Sequence, residues 1–270
     1  MKRLISDKKM LEYALMQSYS NISCFSTTRH GGCSEGAYAS FNCNSYCGDS
    51  PGNVSRNREL LSGLLPQRPI ELVIPHQTHE TNVLVIDPIY IGTREEERKD
   101  LLQGIDALVT DIPGYCLCVS TADCIPVLLY DTANQAIAAI HAGWRGTVGR
   151  IVEKTLETMT GIYGSEGKNI VACIGPGISL EAFEVGDEVY NAFHKVGFEM
   201  NRIARKNGKT GKWHLDLWEA NRLQLLSCGI NPEKIEVSAV CTYKNNDDFF
   251  SARRLGIDSG RILSGIMLHK

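Results

Sequence analysis

The sequence has no uninterrupted apolar run near the roughly 18 residues that a membrane span needs. It also has no internal repeat and no linker long enough to divide the chain. Charge of one sign is scarce: 28 Lys and Arg face 31 Asp and Glu over 270 residues, a formal charge of −3. That balance argues against a nucleic-acid partner where no local basic patch exists. The opening Met1-Lys2-Arg3 is basic, but Asp7, Lys8 and Lys9 follow, so no signal-peptide apolar region forms. The chain reads as soluble and cytoplasmic, with no membrane association, and as a monomer or weak homo-oligomer.

Also lacking is any C-x-x-C pair, and the deaminase signature H-x-E with P-C-x-x-C is absent. Ten cysteines are present in 270 residues. That is below the roughly 8–10% of a disulfide scaffold, and a chain of this length needs no such staples. Cys116, Cys118, Cys173 and Cys228 lie in apolar runs or on helix faces and read as core. Cys24, Cys33, Cys43 and Cys47 fall in what reads as an N-terminal loop region.

What is present is a strand-dense middle. Ala107–Thr110, Cys116–Val119, Ile125–Tyr130 and Ala136–Ile140 are short apolar runs separated by tight turns, which favours antiparallel or mixed pairing. Helical spacing marks Val54–Leu64, Arg150–Thr160 and Gly186–Val196. Asp216 with Glu219 opens a helix through Leu226, and Gly229 stops it. Leu72–Ile74, Thr81–Ile86, Asn169–Ile174 and Ile235–Val240 read as further strands. Arg94–Asp100 reads as a solvated loop or helix face, and Asn201–Lys212 as a mobile surface loop.

The chemistry-bearing residues concentrate at strand ends, in Pro75–His79, Thr121–Cys124, His141–Gly146 and Phe249–Arg254. A turn near 131–135 between antiparallel strands would set Cys124 beside His141, with His76 or His79 as a third ligand. Thiolate with imidazole suits zinc and also copper, and three protein ligands leave a position open, the catalytic pattern. The same residues fit a Cys124 nucleophile with His141 or His79 as base and Asp123 as orienter. They fit equally an inert core cysteine beside a core histidine. Arg29, Arg145, Arg253 and Arg254, set in or near turns, point to an anionic substrate.

These motifs resemble the laccase-domain family, also called multicopper polyphenol oxidoreductase-like, purine nucleoside phosphorylase or peptidoglycan-editing-factor proteins. The resemblance runs from Phe25–Gly32 through Ser40-Phe41-Asn42, His76–His79, Ala122–Val127 and His141–Gly146 to Phe249–Arg254 and Gly260-Arg261. It implies a single domain over 1–270 of α+β (α/β) class, with mixed sheets packed together and helices outside. It implies one zinc held by His79, Cys124 and His141. Its substrates would be purine nucleosides and phosphate: phosphorolysis of adenosine, inosine and methylthioadenosine, with adenosine deamination. Editing of a peptidoglycan precursor by an amidase, or copper-dependent polyphenol oxidation, is the alternative. Cys124, His79 and Asp123 are the candidate catalytic residues. Arg29, Asn42, His76, Gln77, Arg145, Ser251 and Arg254 are the candidate substrate-binding residues. Ala182-Phe183 and Ala252 depart from the family's usual residues. A four-copper centre needs about ten histidines and repeated H-x-H pairs. Seven histidines and no H-x-H cannot build one.

Overall fold

A computed structural model of the chain describes the backbone of residues 3–4 and everything in residues 9–270. The segment read above for a secretion signal lies mostly outside the described residues. Helices and several sheets form a single domain.

The first sheet has the order β1 (Arg3–Leu4), β2 (Met10–Glu12), β3 (Ile22–Thr27), β15 (Ile262–Leu268), β7 (Tyr115–Thr121) and β4 (Glu71–Val73). The second has the order β14 (Ile235–Val237), β10 (Ile170–Ile174), β8 (Ile125–Asp131), β9 (Ala136–Ala142), β6 (Ala107–Thr110) and β5 (Val83–Val85). Each is mixed: β4 joins β7, β5 joins β6 and β14 joins β10 in parallel, and the remaining pairs are antiparallel. The four-residue turn between β8 and β9 accounts for their antiparallel pairing, because so short a link cannot carry a parallel crossover.

Side-chain alternation along the strands builds the layers. On β8, Leu128 and Tyr130 face the first sheet, where Leu117, Val119, Ile262 and Ile266 meet them. Val127 and Leu129 face the opposite way, onto a helical layer. That layer contains α5 (Ile151–Tyr163) and α8 (Leu217–Ser227), through Ile151, Val152, Met159 and Leu225. The outer face of the first sheet, with Phe25, Cys116, Cys118 and Met267, is covered by Leu61 of α1 (Pro51–Leu64). Both sheets are therefore covered on both faces, which explains why their strands read as continuous apolar runs.

Shorter helices complete the chain: α2 (Pro88–Gly92), α3 (Glu95–Leu101), α4 (Trp144–Val148), α6 (Asp187–Lys195), α7 (Met200–Ile203) and α9 (Ala252–Leu255). Three expectations need correction. Asn201–Lys212 is not a featureless loop. It carries the end of α7 and β12 (Ala204–Lys206), which pairs with β13 (Trp213–Leu215) beside β11 (Glu184–Val185). Buried Ile203 and Leu215 anchor that hairpin at its base. Cys24 is in β3 rather than a loop, and Cys43 is fully buried. The strand expected over Ile235–Val240 ends at Val237, where the chain turns and Ala239 adopts a φ of 48°. No described helix is long and apolar enough to cross a membrane.

Candidate functional site

The antiparallel register of β8 and β9 sets Pro126 opposite His141. Cys124, just ahead of β8, therefore sits beside His141. The turn that carries His79 comes in from outside the hairpin. His79 has a φ of 66° and Asp123 a φ of 89°, both in the left-handed region that few non-glycine residues occupy. Backbone strain of this kind persists only where surrounding contacts enforce it.

Asp106 supplies the enforcement. Its carboxylate is fully buried and accepts from the backbone N–H groups of Thr78 (3.2 Å), His79 (3.0 Å) and Glu80 (2.8 Å). The same carboxylate is 2.7 Å from His141 Nδ1. One buried acid thus shapes the His79 turn and orients the His141 ring, leaving His141 Nε2 for the cluster. Ligand atoms of His79, Cys124 and His141 all lie within 4.8 Å of one another. Gly143 closes around them: a Cβ there would lie 3.0 Å from His79 Cδ2 and 3.1 Å from Cys124 Sγ.

Burial pushes the Cys124 thiol up, but charge attraction and hydrogen bonding from His141, then from His79, outweigh it and bring the thiol to about 6. Burial pushes His141 down, but the Cys124 thiolate and the Asp106 carboxylate outweigh it and raise the ring to about 9. Burial raises Asp106 too, but His141 and the turn's N–H groups hold it below its ordinary value. A thiolate and two imidazoles converging from three directions, one imidazole backed by a carboxylate, fit a metal ion. Among the described residues no other His, Cys, Asp or Glu group does so.

The cluster lies in a cleft of about 640 Å³. His76, Gln77 and Ser120 form one part of its lining, Asn44, Tyr46 and Cys47 another. Trp144, Ile178 and Phe183 add an apolar face, and Arg253, Ile257 and Arg261 complete the wall. Gln77 is already committed, since its amide donates to Ser120 O (2.9 Å) and accepts from Ser120 N (2.7 Å). Asp123 accepts from Thr242 Oγ1 (2.6 Å) and from the Arg253 N–H (2.7 Å).

Five residues singled out in the sequence do not line this cleft. Arg29 donates to Ala39 O and Asn246 O, knitting two loops together. Asn42 is fully buried, binds Asp49 and Asn44 O, and accepts from the Arg261 N–H, so it stands behind the wall. Arg145 is exposed and lies over the Trp144 ring, 4.3 Å from its centroid. Buried Ser251 caps α9. Arg254 points away, over Tyr243.

The wall's arginines are instead Arg253 and Arg261. Arg253 donates to Glu184 O (3.1 Å) and lies over Phe183. Arg261 donates to Ile257 O (2.7 Å), Gly260 O (3.1 Å) and Ser259 O. Neither has a carboxylate partner among the described residues. Sequence reasoning missed Arg261 and Asp106 as site residues and preferred Arg254 to Arg253. The one signal for Asp106 was an acid placed directly against the apolar run of β6.

A family model described as multi-copper polyphenol oxidoreductase laccase matches residues 23–269. A protein named purine nucleoside phosphorylase from Bacteroides thetaiotaomicron is 59% identical over 267 residues, 99% of each chain. One named adenosine deaminase RL5, from an unknown prokaryotic organism, is 42% identical over 93% of this chain and 95% of its own. The crystal structure of the Bacillus licheniformis hypothetical protein YfiH superposes with a TM-score of 0.90 at 31% identity, covering 99% of this chain and 98% of that one. With the match covering the sheets, the cleft and the three-donor cluster alike, the chain belongs to the multi-copper polyphenol oxidoreductase laccase family.

Proposed function

We propose that the chain, as one unit over residues 1–270, is a zinc-dependent purine nucleoside phosphorylase acting on adenosine, inosine and methylthioadenosine, with adenosine deaminase activity. The observation that carries this reading is a three-donor cluster set in a cleft that also presents two arginines with no carboxylate partner among the described residues. The names of the relatives support the same reading. His79, Cys124 and His141 are the proposed ligands. The donor set suits zinc and would also accept copper, but three donors make one mononuclear site, far from a four-copper cluster. Zinc bound there would supply Lewis acidity for both reactions.

The protein's own part begins with charge. Phosphorolysis breaks N9–C1′ while positive charge grows on the ribose, so phosphate must be held close to C1′. Arg253 and Arg261 are the proposed clamp, because guanidinium forks bind phosphate bidentately and these two reach the cleft. They take the place of Arg29, Arg145 and Arg254 among the arginines that the sequence offered for an anionic substrate. Trp144, Ile178 and Phe183 offer apolar faces to the purine. Asp123, proposed as a catalytic residue, holds the backbone of Arg253 and the hydroxyl of Thr242 through one hydrogen bond to each oxygen. The setting that goes with this reading is a cytoplasmic monomer or weak homo-oligomer. One observation favours an amidase reading as well: Cys124, at about 6, is the kind of thiolate that acts as a nucleophile.

The test is inosine with phosphate, with chromatography for hypoxanthine and ribose 1-phosphate, alongside elemental metal analysis. Cys124→Ala should lose zinc and both activities together. Full phosphorolysis by a zinc-free Cys124→Ala protein overturns the scheme. Serine released from a seryl peptidoglycan precursor, without turnover of inosine, would favour the amidase.

A further inference from the structure

His76 stands in the cleft lining but is not one of the three clustered donors. Its surroundings restrict what it can do. His76 Nδ1 lies 2.7 Å from Gln103 Oε1. The orientation of that amide is fixed independently, because Gln103 Nε2 donates to Lys99 O at 3.0 Å. The atom facing His76 is therefore the amide oxygen, which only accepts. It follows that Nδ1 carries the hydrogen and that Nε2 of the neutral ring is a bare acceptor. Among the described residues Nε2 has no hydrogen-bond partner. The ring plane is held by Tyr46, stacked at 4.5 Å and 23°. The backbone is held as well, with His76 N donating to Leu102 O and Gly104 N donating to His76 O, both at 2.9 Å.

The buttress extends outward. Lys99 is in α3, and Arg98 of the same helix is paired to Glu71 of β4. The charged segment that reads in the sequence as a solvated face thus fixes the direction of a cleft imidazole.

A bare nitrogen acceptor repels anions and takes an O–H or N–H donor. Among the other polar groups of the cleft, Arg253 and Arg261 suit an anion, Gln77 is engaged with Ser120, and Asp123 accepts from Thr242 and Arg253. The donors a nucleoside brings beyond its base are its ribose hydroxyls. We propose that Gln103 locks His76 in the Nδ1–H tautomer so that His76 Nε2 accepts a hydrogen bond from a ribose hydroxyl of the substrate. This rests on the nucleoside reading above. His76 is then a substrate-recognition residue and Gln103 a positioning residue.

Two measurements test it. In nitrogen-15 spectra of the substrate-free protein at neutral pH, His76 should show a protonated Nδ1 and a bare Nε2. Gln103→Leu should shift the ring toward the opposite tautomer, while Gln103→Glu, which keeps an acceptor oxygen, should not. A protonated Nε2 in the unaltered protein overturns the lock whatever the enzyme does. The second measurement compares kcat/KM for inosine, 2′-deoxyinosine and 3′-deoxyinosine. His76→Phe should lower the inosine value roughly 3- to 10-fold, the worth of one neutral hydrogen bond. It should leave unchanged the value for the analogue that lacks the hydroxyl in question. Gln103→Leu should show the same selective loss in part, and Gln103→Glu should restore it. An equal loss on all three substrates overturns the hydroxyl assignment while the phosphorylase reading stands. No turnover of inosine by the unaltered protein overturns the reading and the assignment together.

Discussion

Asp106 concentrates two jobs in one side chain: it fixes the His79 turn and orients the His141 ring. Asp106→Asn keeps the shape and removes the charge, so metal affinity should fall about 10- to 100-fold, as for other carboxylates behind a ligating histidine. Competition with a chromophoric chelator would measure it, and unchanged affinity would remove Asp106 from the site. Gly143→Ala probes space rather than charge. Its methyl would press on His79 and Cys124 at once. The helix it precedes tolerates alanine geometrically, since Gly143 has a φ of −68°. The expected loss in metal affinity is about tenfold, equivalent to about 1.4 kcal/mol. Arg253→Ala and Arg261→Ala should each raise KM for phosphate with a smaller effect on KM for inosine. Arg254→Ala should leave both near their starting values, because its side chain lies over Tyr243 outside the cleft. The doublet Arg253-Arg254 shows the limit of sequence reasoning. Adjacent residues look alike in a string, and only the position of α9 decides which one faces inward.

At the scale of elements, the β8–β9 hairpin was legible because the apolar runs Ile125–Tyr130 and Ala136–Ile140 flank a short polar turn, and that pattern alone placed Cys124 beside His141. The start of α8 was legible for a chemical reason: the Asp216 carboxylate accepts from Glu219 N at 2.9 Å, as an N-cap should. Asp216→Ala should cost about 0.5–2 kcal/mol of stability, read as a shift in the urea midpoint at constant slope. The β12–β13 hairpin was not legible. Its signal is two buried residues, Ile203 and Leu215, separated by a basic, glycine-containing stretch that composition assigns to solvent. The basic residues have a structural use there, since β12 is an edge strand and Arg205 and Lys206 discourage pairing with another chain. The His76 or His79 alternative stayed open for a similar reason. Three residues apart in a turn, they diverge to Gln103 and to the three-donor cluster, and only long-range contacts separate them.

At the scale of the molecule, the buried thiols give the fold a defined alkaline limit. Burial pushes Cys43 up to about 12, with Arg58 only partly opposing, and pushes Cys228 up to about 11. Cys118 and Cys173 are raised for the same first reason. A folded value above the unfolded one means a contribution fully present below the unfolded value near 9 and lost as pH rises toward the folded one. Each fully buried thiol therefore removes about 1.4 kcal/mol of stability per pH unit in that window. Urea midpoints measured from pH 8 to 11 should fall, and Cys43→Ala should shallow the decline. A flat profile would mean that the core admits thiolates.

The β3–β15 pairing joins residues 22–27 to residues 262–268 in the middle of the first sheet, between β2 and β7. Chain search over so large a separation is slow, and until it succeeds β3 and β7 both present open backbone edges. Refolding from denaturant should therefore proceed through a species with the second sheet formed and the first one split, and its yield should drop as protein concentration rises. The same late step carries Arg261, next to β15, into the cleft wall. A chain whose proposed anion clamp arrives with its last strand would gain substrate binding only when its central sheet closes.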